Sequence, residues 1–389
     1  MKRLGVILFA LSMATCMTAQ DKAGGSQLSN GDRGILNHVD VGVNVGTMGI
    51  GIDVAMPVGD YVRLRVGYEY MPRFSVKSDV NIETTTGGKA SNFISKFSKI
   101  NEMLAEHEDI DINLPYFAEE KAMLENYQSG KLEAKDYVTM SMKPSMHQFK
   151  FLVDVLPFKN NKHWSFTAGF FAGPSQVGDA SNMDKETAIL RAVNLYNSRY
   201  YKDYIMNYMD LQFPDANGVM HHGEINSLTD FVKKYGMAGF SLGTFKDDGS
   251  KALMVPGKDA TARADMKVCP FRPYLGFGYN THLSKDKKWK LNVDAGIMFL
   301  CGAPSVYVDN VYRVDASKLV LDADGNYYGE IVRWNPNEFA YEECGKKVDH
   351  VDMIRDLDNI PGKVGDMVHT VSKFKVYPNA SVTFSYRLF

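Results

Sequence analysis

Hydrophobic and polar residues alternate with a period of two in several separate blocks of the chain. In residues 60–70 (DYVRLRVGYEY), valine, leucine and tyrosine alternate with arginine, glycine and glutamate. Further blocks with this alternation are HQFKFLVDVLPF, HWSFTAGFFAG, FRPYLGFGYN, KLNVDAGIMFL and the terminal ASVTFSYRLF. Because successive side chains of a strand point to opposite faces, this period predicts β-strands with one apolar face and one polar face.

A change of parity within residues 39–56 decides the number of strands. Hydrophobic residues occupy odd positions up to Val45 and even positions from Ile50 onward. The glycines between them (VGTMGIGIDV, 45–54) are followed by another strand, whereas a phosphate-binding loop needs a helix at that point. A tight turn at 47–49 gives eight strands and antiparallel closure, as bacterial single-chain barrels normally have. One glycine-kinked strand would give seven, and we predict eight.

Short turns join three pairs of these blocks, and matching apolar residues with apolar residues predicts the registers. The expected facing pairs are Val54–Leu64, Ile52–Val66 and Asp53–Arg65 across Val58–Asp60, Val155–Phe166 and Val153–Ala168 across Asn160–Asn161, and Phe271–Phe299, Phe277–Val293 and Tyr279–Leu291 across Lys285.

The remaining connections are long and run over about 73–143, 176–268 and 302–372. Short turns at one end and long loops at the other are typical of transmembrane barrels, in which the apolar face contacts lipid and the polar face lines the lumen. The sequence therefore predicts an all-β membrane protein, an eight-stranded antiparallel up-and-down transmembrane β-barrel with long, partly helical extracellular loops.

The long loops carry structure of their own. Amphipathic patterns predict helices within 91–109, 116–134 and 185–209, the last with a stripe of tyrosines. Asn-Gly and Asp-Gly pairs between apolar flanks predict small hairpins at 213–225 and 321–331. Loops of this length are expected to pack into an outer cap.

The N-terminus has the pattern of an export signal. Two basic residues, a short apolar run and a small-residue end predict a signal peptide over residues 1–19, followed by a flexible lead-in over 20–37 and the barrel with its loops over 38–389. A lipoprotein modified at Cys16 is the weaker alternative. The formal net charge is −2, which leaves no basic surplus for binding nucleic acid.

The strand segments also resemble a known family. The run VGVNVGTMGIGIDVAMPVGDYVRLRVGYEYMP (41–72), a signal that ends in Ala-Gln and an aromatic terminus after SYR are similar to the small outer-membrane β-barrel proteins of Bacteroidota-type bacteria. The resemblance implies a bacterial outer-membrane location with extracellular loops, contact with outer-membrane lipid, and recognition of Phe389 by the barrel-assembly machinery. The family usually has Tyr two residues before the end, whereas here Tyr386 lies three before it.

Charged residues on the polar faces are the first candidates for function. Those expected to form a lumen charge network are Asp53, Arg63, Arg65, Glu69, Asp154, Arg272 and Asp294. An eight-stranded barrel has an interior just wide enough to be filled by side chains. We therefore expect these groups to form a structural plug of ion pairs, which holds register more than it adds stability, and not a conduction path.

Cysteines are the second candidates. The Lys285-centred register sets Cys269 directly opposite Cys301, which predicts a cross-strand disulfide in an oxidising compartment; two unpaired thiols are the alternative. Cys344 is left over in the third long loop. We expect no metal site and no cofactor.

The candidates for catalysis are weak. His147, His163 and His282 lie at strand ends, and the chain contains no G-x-S-x-G motif. We expect a protein that is not an enzyme: the barrel anchors a loop cap with a surface binding or structural role, with an extracellular protein or glycan as ligand and no nucleic acid. The alternative is a narrow channel or carrier for small or hydrophobic solutes.

Overall fold

A computed structural model describes residues 38–81, 137–158, 161–182, 188–195, 238–257, 259–314 and 345–388. It also gives the backbone of six short strands, Gln212–Pro214, Met220–His222, Val320–Leu321, Tyr327–Tyr328, Val332–Asn335 and Ala340–Glu343, and a few single positions between 122 and 135 and at 197. No helix among these residues has the length and apolar character needed to cross a membrane.

The described strands and helices follow one another along the chain. They are β1 Asp40–Gly46, β2 Gly49–Pro57, β3 Val62–Tyr70, β4 Val76–Asn81, β5 Tyr137–Pro144, β6 His147–Val155, β7 Trp164–Ala172, β8 Gln176–Asn182, α1 Ala188–Leu195, β9 Gln212–Pro214, β10 Met220–His222, β11 Phe240–Phe245, β12 Lys251–Met254, β13 Arg263–Lys267, β14 Phe271–His282, β15 Trp289–Phe299, β16 Ser305–Val308, β17 Val311–Val314, β18 Val320–Leu321, β19 Tyr327–Tyr328, β20 Val332–Asn335, β21 Ala340–Glu343, β22 Gly345–Val348, β23 Val351–Asp352, β24 Leu357–Asp358, α2 Gly362–Ser372 and β25 Val376–Arg387.

Eight of these strands form a closed antiparallel barrel in the order β1-β2-β3-β6-β7-β14-β15-β25. β1 and β2 are separate strands, because Gly46 pairs with Gly49 across a two-residue turn. Gly49 has φ +103°, a left-handed conformation that glycine adopts without steric cost. The parity change near Thr47 is thus a turn, and the predicted closed antiparallel barrel of eight strands is confirmed.

The barrel wall has an apolar outer face and a polar inner face. Outward side chains include Val43, Phe166 and Phe277, which are 58%, 61% and 53% exposed. Inward side chains on the same strands are polar, and Asp154 is 0% exposed. The alternation in the sequence therefore places its apolar set on the outside, as in barrels whose outer face contacts lipid.

One of the three predicted hairpin registers is right and two are shifted by two residues. Val155 pairs with Phe166 as expected. In the β2–β3 hairpin, however, Val54 pairs with Val66 and Asp53 with Gly67, and in the β14–β15 hairpin Tyr279 pairs with Val293. A shift of two keeps every side chain on its own face, so alternation alone cannot distinguish these registers.

The two ends of the barrel differ. At the turn end lie the three short connections, 58–61, 156–163 and 283–288, together with both termini of the barrel. At the opposite end, which we call the cap end, lie the β1–β2 turn and the three long connections. Tryptophan and tyrosine surround the turn end: Trp164 contacts Tyr279 edge-on and Trp289 contacts Tyr386 in the same way, as in the interfacial girdles of membrane barrels.

Five barrel strands continue into a second sheet beyond the cap end. β4, β5, β8, β13 and β16 follow or precede β3, β6, β7, β14 and β15, and they pair in the same order in a six-stranded sheet completed by β23. The junctions are also hydrogen-bonded, for example from Met71 N to Met146 O and from Gly173 N to Pro270 O. The wall is therefore extended on the β3–β15 side, whereas β25, β1 and β2 have no such extension among the described strands.

A five-stranded sheet, β22-β17-β12-β11-β24, packs with this extension to form a cap with its own apolar core. Phe245, Ala252 and Val311 in this core are at most 2% exposed. Val364 and Val368 of α2 pack against the core, and α2 also contacts β4. The cap is thus built as a water-soluble domain is, with its hydrophobic residues inside.

The described part of the cap is richer in strands than the sequence indicated. α1 lies within the helix predicted for 185–209, and the paired strands β9–β10 and β18–β19 confirm the two small hairpins. The segment 91–109 lies outside the described residues, and in 116–134 only scattered positions are described. The two larger cap sheets and α2 are not in the prediction, because their strands are short and pair with distant residues.

Candidate functional site

The candidate site is the barrel lumen, and its centre is Arg65 of β3. Its guanidinium donates to Asp154 of β6 at 2.9 Å and to Asp294 of β15 at 2.6 Å. Because β3 and β15 are four strands apart in the barrel of eight, the Arg65–Asp294 pair spans the lumen. All three residues are at most 4% exposed.

Asp154 collects further donors around this centre. Arg63 donates from Nε to Asp154 Oδ2 at 2.7 Å, and Thr167 donates from Oγ1 to Asp154 Oδ1 at 2.8 Å. Arg63 also donates to Asn280 on the other side of the lumen at 2.7 Å. A buried carboxylate with this many donors stays charged, because hydrogen bonds and cations offset its loss of hydration.

A second group of charges forms around Lys150 of β6. Its ammonium lies 2.8 Å from Asp53 Oδ1 and 2.9 Å from Glu69 Oε1. Asn44 also donates to Asp53, and Gln148 donates to Glu69. The seven predicted lumen residues with Lys150 are from here called the charge network.

These contacts correct one prediction and add one residue. Asp53 pairs with Lys150 and not with Arg65, because the true register of β2 and β3 places Gly67 opposite Asp53. Lys150 is absent from the predicted network although it shares the inward parity of Asp154. That parity was the signal that could have identified it.

Two glycines, Gly67 and Gly278, leave room for the side chains of the charge network. A Cβ at Gly67 would collide with Asp53 Oδ1 and would lie 2.8 Å from Lys150 Cε. A Cβ at Gly278 would lie 2.6 Å from Asp294 Oδ1. Since real Cβ atoms do not approach other atoms so closely, the ion pairs need these two positions to lack side chains.

Arg272 lies deep in the lumen, nearer the cap end, and differs from the other cations. It is 0% exposed and donates to Gln148 Oε1 at 2.8 Å and to the carbonyl oxygens of Cys269 and Pro174. The acceptors of these three hydrogen bonds are all neutral. Arg272 therefore links β6, β14 and the start of the 173–175 junction without a carboxylate.

A further group of charges at the turn end is missing from the predictions. Asp40 accepts from Lys290 and lies 3.7 Å from Arg387 Nε. His38 Nε2 is 3.3 Å from both cations. The group links the first and last barrel strands through Asp40 and Arg387.

Towards the cap end, hydrophobic side chains close the lumen. This apolar plug consists of Met48, Leu152, Phe171, Tyr274 and Met298, with Met146 and Tyr377 packed against it. Phe171 and Tyr274 meet edge-on with their ring centroids 5.4 Å apart. Val177, Val268 and Leu300 form another apolar layer, which also includes Met146 and Tyr377.

Cys269 and Cys301 lie beside one another at the cap end of the β14–β15 pair. They are not directly opposite, because the register is shifted by two. Their thiols are hydrogen-bonded to each other, and neither cysteine is in a disulfide. Cys301 also donates to the carbonyl oxygen of Phe271 at 3.2 Å. The hydrogen bond with Cys269 raises the pKa of the Cys301 thiol. The disulfide stays a prediction; Cys344 lies outside the described residues.

The other predicted positions fall into three groups. Phe389 and the proposed signal peptide lie outside the described residues. His147 begins β6 at the cap end, whereas His163 and His282 lie at the turn end, so the barrel length separates them. Among the described residues, no cluster of three or more His, Cys, Asp or Glu side chains has the arrangement needed to hold a metal ion.

Chemically, the charge network is balanced. Its carboxylates are Asp53, Glu69, Asp154 and Asp294, and its cations are Arg63, Arg65, Lys150 and Arg272. Fixed opposite charges that satisfy each other bind mobile ions weakly. The arrangement links strands on opposite sides of the lumen. The role of a structural plug, expected from the sequence, stays a prediction.

Comparisons with known proteins do not assign the chain to a family. No protein-family model matches the chain, and no curated protein matches it. Among solved structures, CarO2 of Acinetobacter baumannii has 12% identity and a TM-score of 0.34 over 90% of this chain and 99% of its own. CarO of Acinetobacter baumannii has 11% identity and a TM-score of 0.33 over 90% and 97%. OmpT of Vibrio cholerae has 8% identity and a TM-score of 0.10 over 92% and 100%.

Proposed function

We propose that this chain is a bacterial outer-membrane protein whose sealed barrel anchors a structured extracellular cap, and that the cap has a surface binding or structural role without catalysis. The observation that carries the proposal is the filled lumen: ion pairs around Arg65 occupy its centre, and the apolar plug lies beyond them. A barrel filled in this way serves as an anchor better than as a pore.

The outer face of the barrel supports the membrane location. Valine and phenylalanine side chains such as Val43 and Phe166 are among its most exposed residues. In water this surface would be an aggregation liability, whereas in a bilayer each such side chain is stabilised by contact with acyl chains. The tryptophan and tyrosine residues at the turn end occupy the level where interfacial aromatic residues are found.

The cap supports the binding role. Its core is separate from the lumen, and its solvent-exposed surface carries charged residues of both signs, such as Lys346, Lys347 and Asp349. A folded, polar surface held on a rigid anchor suits the recognition of another macromolecule. An extracellular protein or glycan is the proposed ligand, and the barrel-assembly machinery and outer-membrane lipid are the proposed partners in insertion.

Labelling of whole cells tests the location and orientation. In a background in which the native cysteines are serines, Lys346→Cys places a thiol on an exposed cap strand and Lys285→Cys places one in an exposed turn at the other end. A maleimide that cannot cross membranes should label the cap variant on intact cells and the turn variant only after lysis. The reverse pattern would overturn the orientation, and labelling of both on intact cells would overturn the membrane location.

Conductance in planar bilayers tests the anchoring role against the alternative of a narrow channel. The purified protein should give no resolvable steps, because ion pairs and hydrophobic side chains fill its lumen. Steps that change in size or selectivity with Asp294→Asn, but not with the exposed turn variant Asp286→Asn, would contradict the proposal and favour a channel. If the barrel gives no conductance steps, cross-linking of whole cells through the cap would identify the ligand.

A further inference from the structure

A small cavity lies in the lumen behind the line where the last strand closes on the first. Its volume is about 20 Å³, and its lining includes Asp53 of β2, Arg65 of β3, Asn292 of β15 and Thr383 of β25. These strands lie on either side of the β25–β1 contact that closes the barrel. The cavity therefore adjoins the one contact that joins the two ends of the barrel sequence.

Six polar atoms of residues that line the cavity are buried and have no hydrogen-bond partner. Two of them, Asp40 Oδ1 and Arg63 Nη2, lie in ion pairs with Arg387 and Asp154. The other four are Asp53 Oδ2, Arg65 Nε, Asn292 Oδ1 and Thr383 Oγ1. Each of these residues is at most 5% exposed. Buried polar groups without a partner are rare because each costs about 1–3 kcal/mol, so four of them around one cavity need a common explanation.

We propose that the cavity is a binding site for an ordered water molecule that is part of the barrel. Water donates two hydrogen bonds and accepts two. The carboxylate oxygen of Asp53 and the amide oxygen of Asn292 accept, whereas Arg65 Nε–H and the hydroxyl of Thr383 donate. One water thus matches these four atoms, and a cavity needs roughly 10–15 Å³ of such space to hold one.

The charges around the cavity select a neutral ligand. A bound cation would face the Nε–H of Arg65, and a bound anion would face the carboxylate of Asp53. Asp53 already pairs with Lys150, and Arg65 pairs with Asp154 and Asp294. The other two charged residues of the lining, Asp40 and Arg63, pair with Lys290 and Asp154, so each charged side chain of the lining has a counter-ion. The volume of about 20 Å³ excludes larger polar molecules.

The position of this water gives it a role in closing the barrel. Asp53 lies on the second strand, whereas Asn292 and Thr383 lie on the last two, so one molecule bridges the N-terminal and C-terminal strands from inside. The pairing of β1 with β25 joins residues that are far apart in sequence, which makes closure entropically costly. The bound water adds four hydrogen bonds across that contact.

Thr383→Val tests the proposal, because it removes the donor and keeps the shape of the side chain. Unfolding in urea should show a folded-to-unfolded ratio that is about 5- to 30-fold lower than in the wild type. Thr383→Ser retains the hydroxyl and should keep most of the wild-type ratio. A dry cavity predicts the opposite order, with valine neutral or stabilising and serine destabilising.

A high-resolution crystal structure of the wild-type protein decides the question independently, including the case in which Thr383→Val does not fold. Density for a water within hydrogen-bond distance of at least three of the four atoms is the expected result. An empty cavity would overturn the proposal. So would anomalous signal at this position after crystals are soaked in rubidium or bromide salts, since it would identify an ion site.

Discussion

The barrel and the cap are both built of alternating strands, but they bury opposite faces of those strands. In the barrel, phenylalanine and valine face outward and charged residues fill the interior; Phe166 is 61% exposed and Asp154 is 0% exposed. In the cap, Val311 is 0% exposed, while Lys347 and Asp349 are 47% and 64% exposed. Both regions belong to one chain with alternating strands, so the pattern of alternation does not determine which face is the core.

What differs is the surroundings of each sheet. A cap strand gains stability by removing its apolar face from water, at roughly 25 cal/mol per Å². A barrel strand gains a comparable amount when the same kind of face enters lipid, and its polar face must then be satisfied by partners within the lumen. The ion pairs around Arg65 and the apolar core around Phe245 are therefore equivalent solutions in two different environments.

The largest effect is expected when a buried ion pair of the barrel is broken. Asp154→Asn removes the charge that faces both Arg63 and Arg65. Leaving buried cations without their partner should lower the free energy of unfolding by about 3–5 kcal/mol, measured by urea unfolding in detergent or bilayer. The exposed pair of Asp60 and Lys162, 3.7 Å apart, is the matched control, and Asp60→Asn should cost less than about 1 kcal/mol. Equal effects would show that the lumen is open to water.

An intermediate effect is expected from a charge on the outer face of the barrel. Leu275→Lys introduces a cation on the outer face opposite Ala168, the middle residue of β7. It should cost about 2–4 kcal/mol near the bilayer midplane. Reversal of an exposed charge in the cap, Asp349→Lys, should change stability by less than about 0.5 kcal/mol. The protein would not be embedded in a membrane if urea unfolding gave the same small change for both variants.

The smallest effect on the barrel is expected from the two thiols. If Cys269 and Cys301 form the predicted disulfide, cells grown with oxygen should yield a chain whose tryptic peptides are joined and lighter by two hydrogen atoms. Reduction, or Cys301→Ser, should loosen the cap in hydrogen-exchange measurements and leave the urea unfolding of the barrel unchanged. A barrel whose stability falls with reduction would contradict the separation of the two regions.

The barrel strands were predicted well because period-two alternation determines which residues share a face of the sheet. Asp53, Arg63, Arg65, Glu69, Asp154, Arg272 and Asp294 all lie inside the barrel, as expected, with Arg63 the most exposed at 13%. Their partners were harder to predict. Asp53 binds Lys150 and Arg65 binds Asp294 because the register is shifted and because contacts cross the lumen, and neither fact is encoded in neighbouring residues.

The cap was predicted poorly for a related physical reason. Its strands are two to eight residues long, and several pair with partners far away along the chain, such as β11 with β24. Short strands carry too little alternation to be recognised, and long-range pairing leaves no local signal. The hairpins at β9–β10 and β18–β19 were predicted because their turns contain the residues that such turns require.

The way the wall continues beyond the membrane has a mechanical consequence. Four hydrogen bonds in the junctions, among them those from Ser145 to Val177 and from Val268 to Ser175, keep neighbouring strands paired from barrel to cap. A domain on a single linker can rotate and tilt freely, whereas one that shares several hydrogen-bonded strands with its anchor cannot. The cap should thus present its outer surface at a fixed angle to the cell envelope, and a force applied to it would be carried by several strands in parallel.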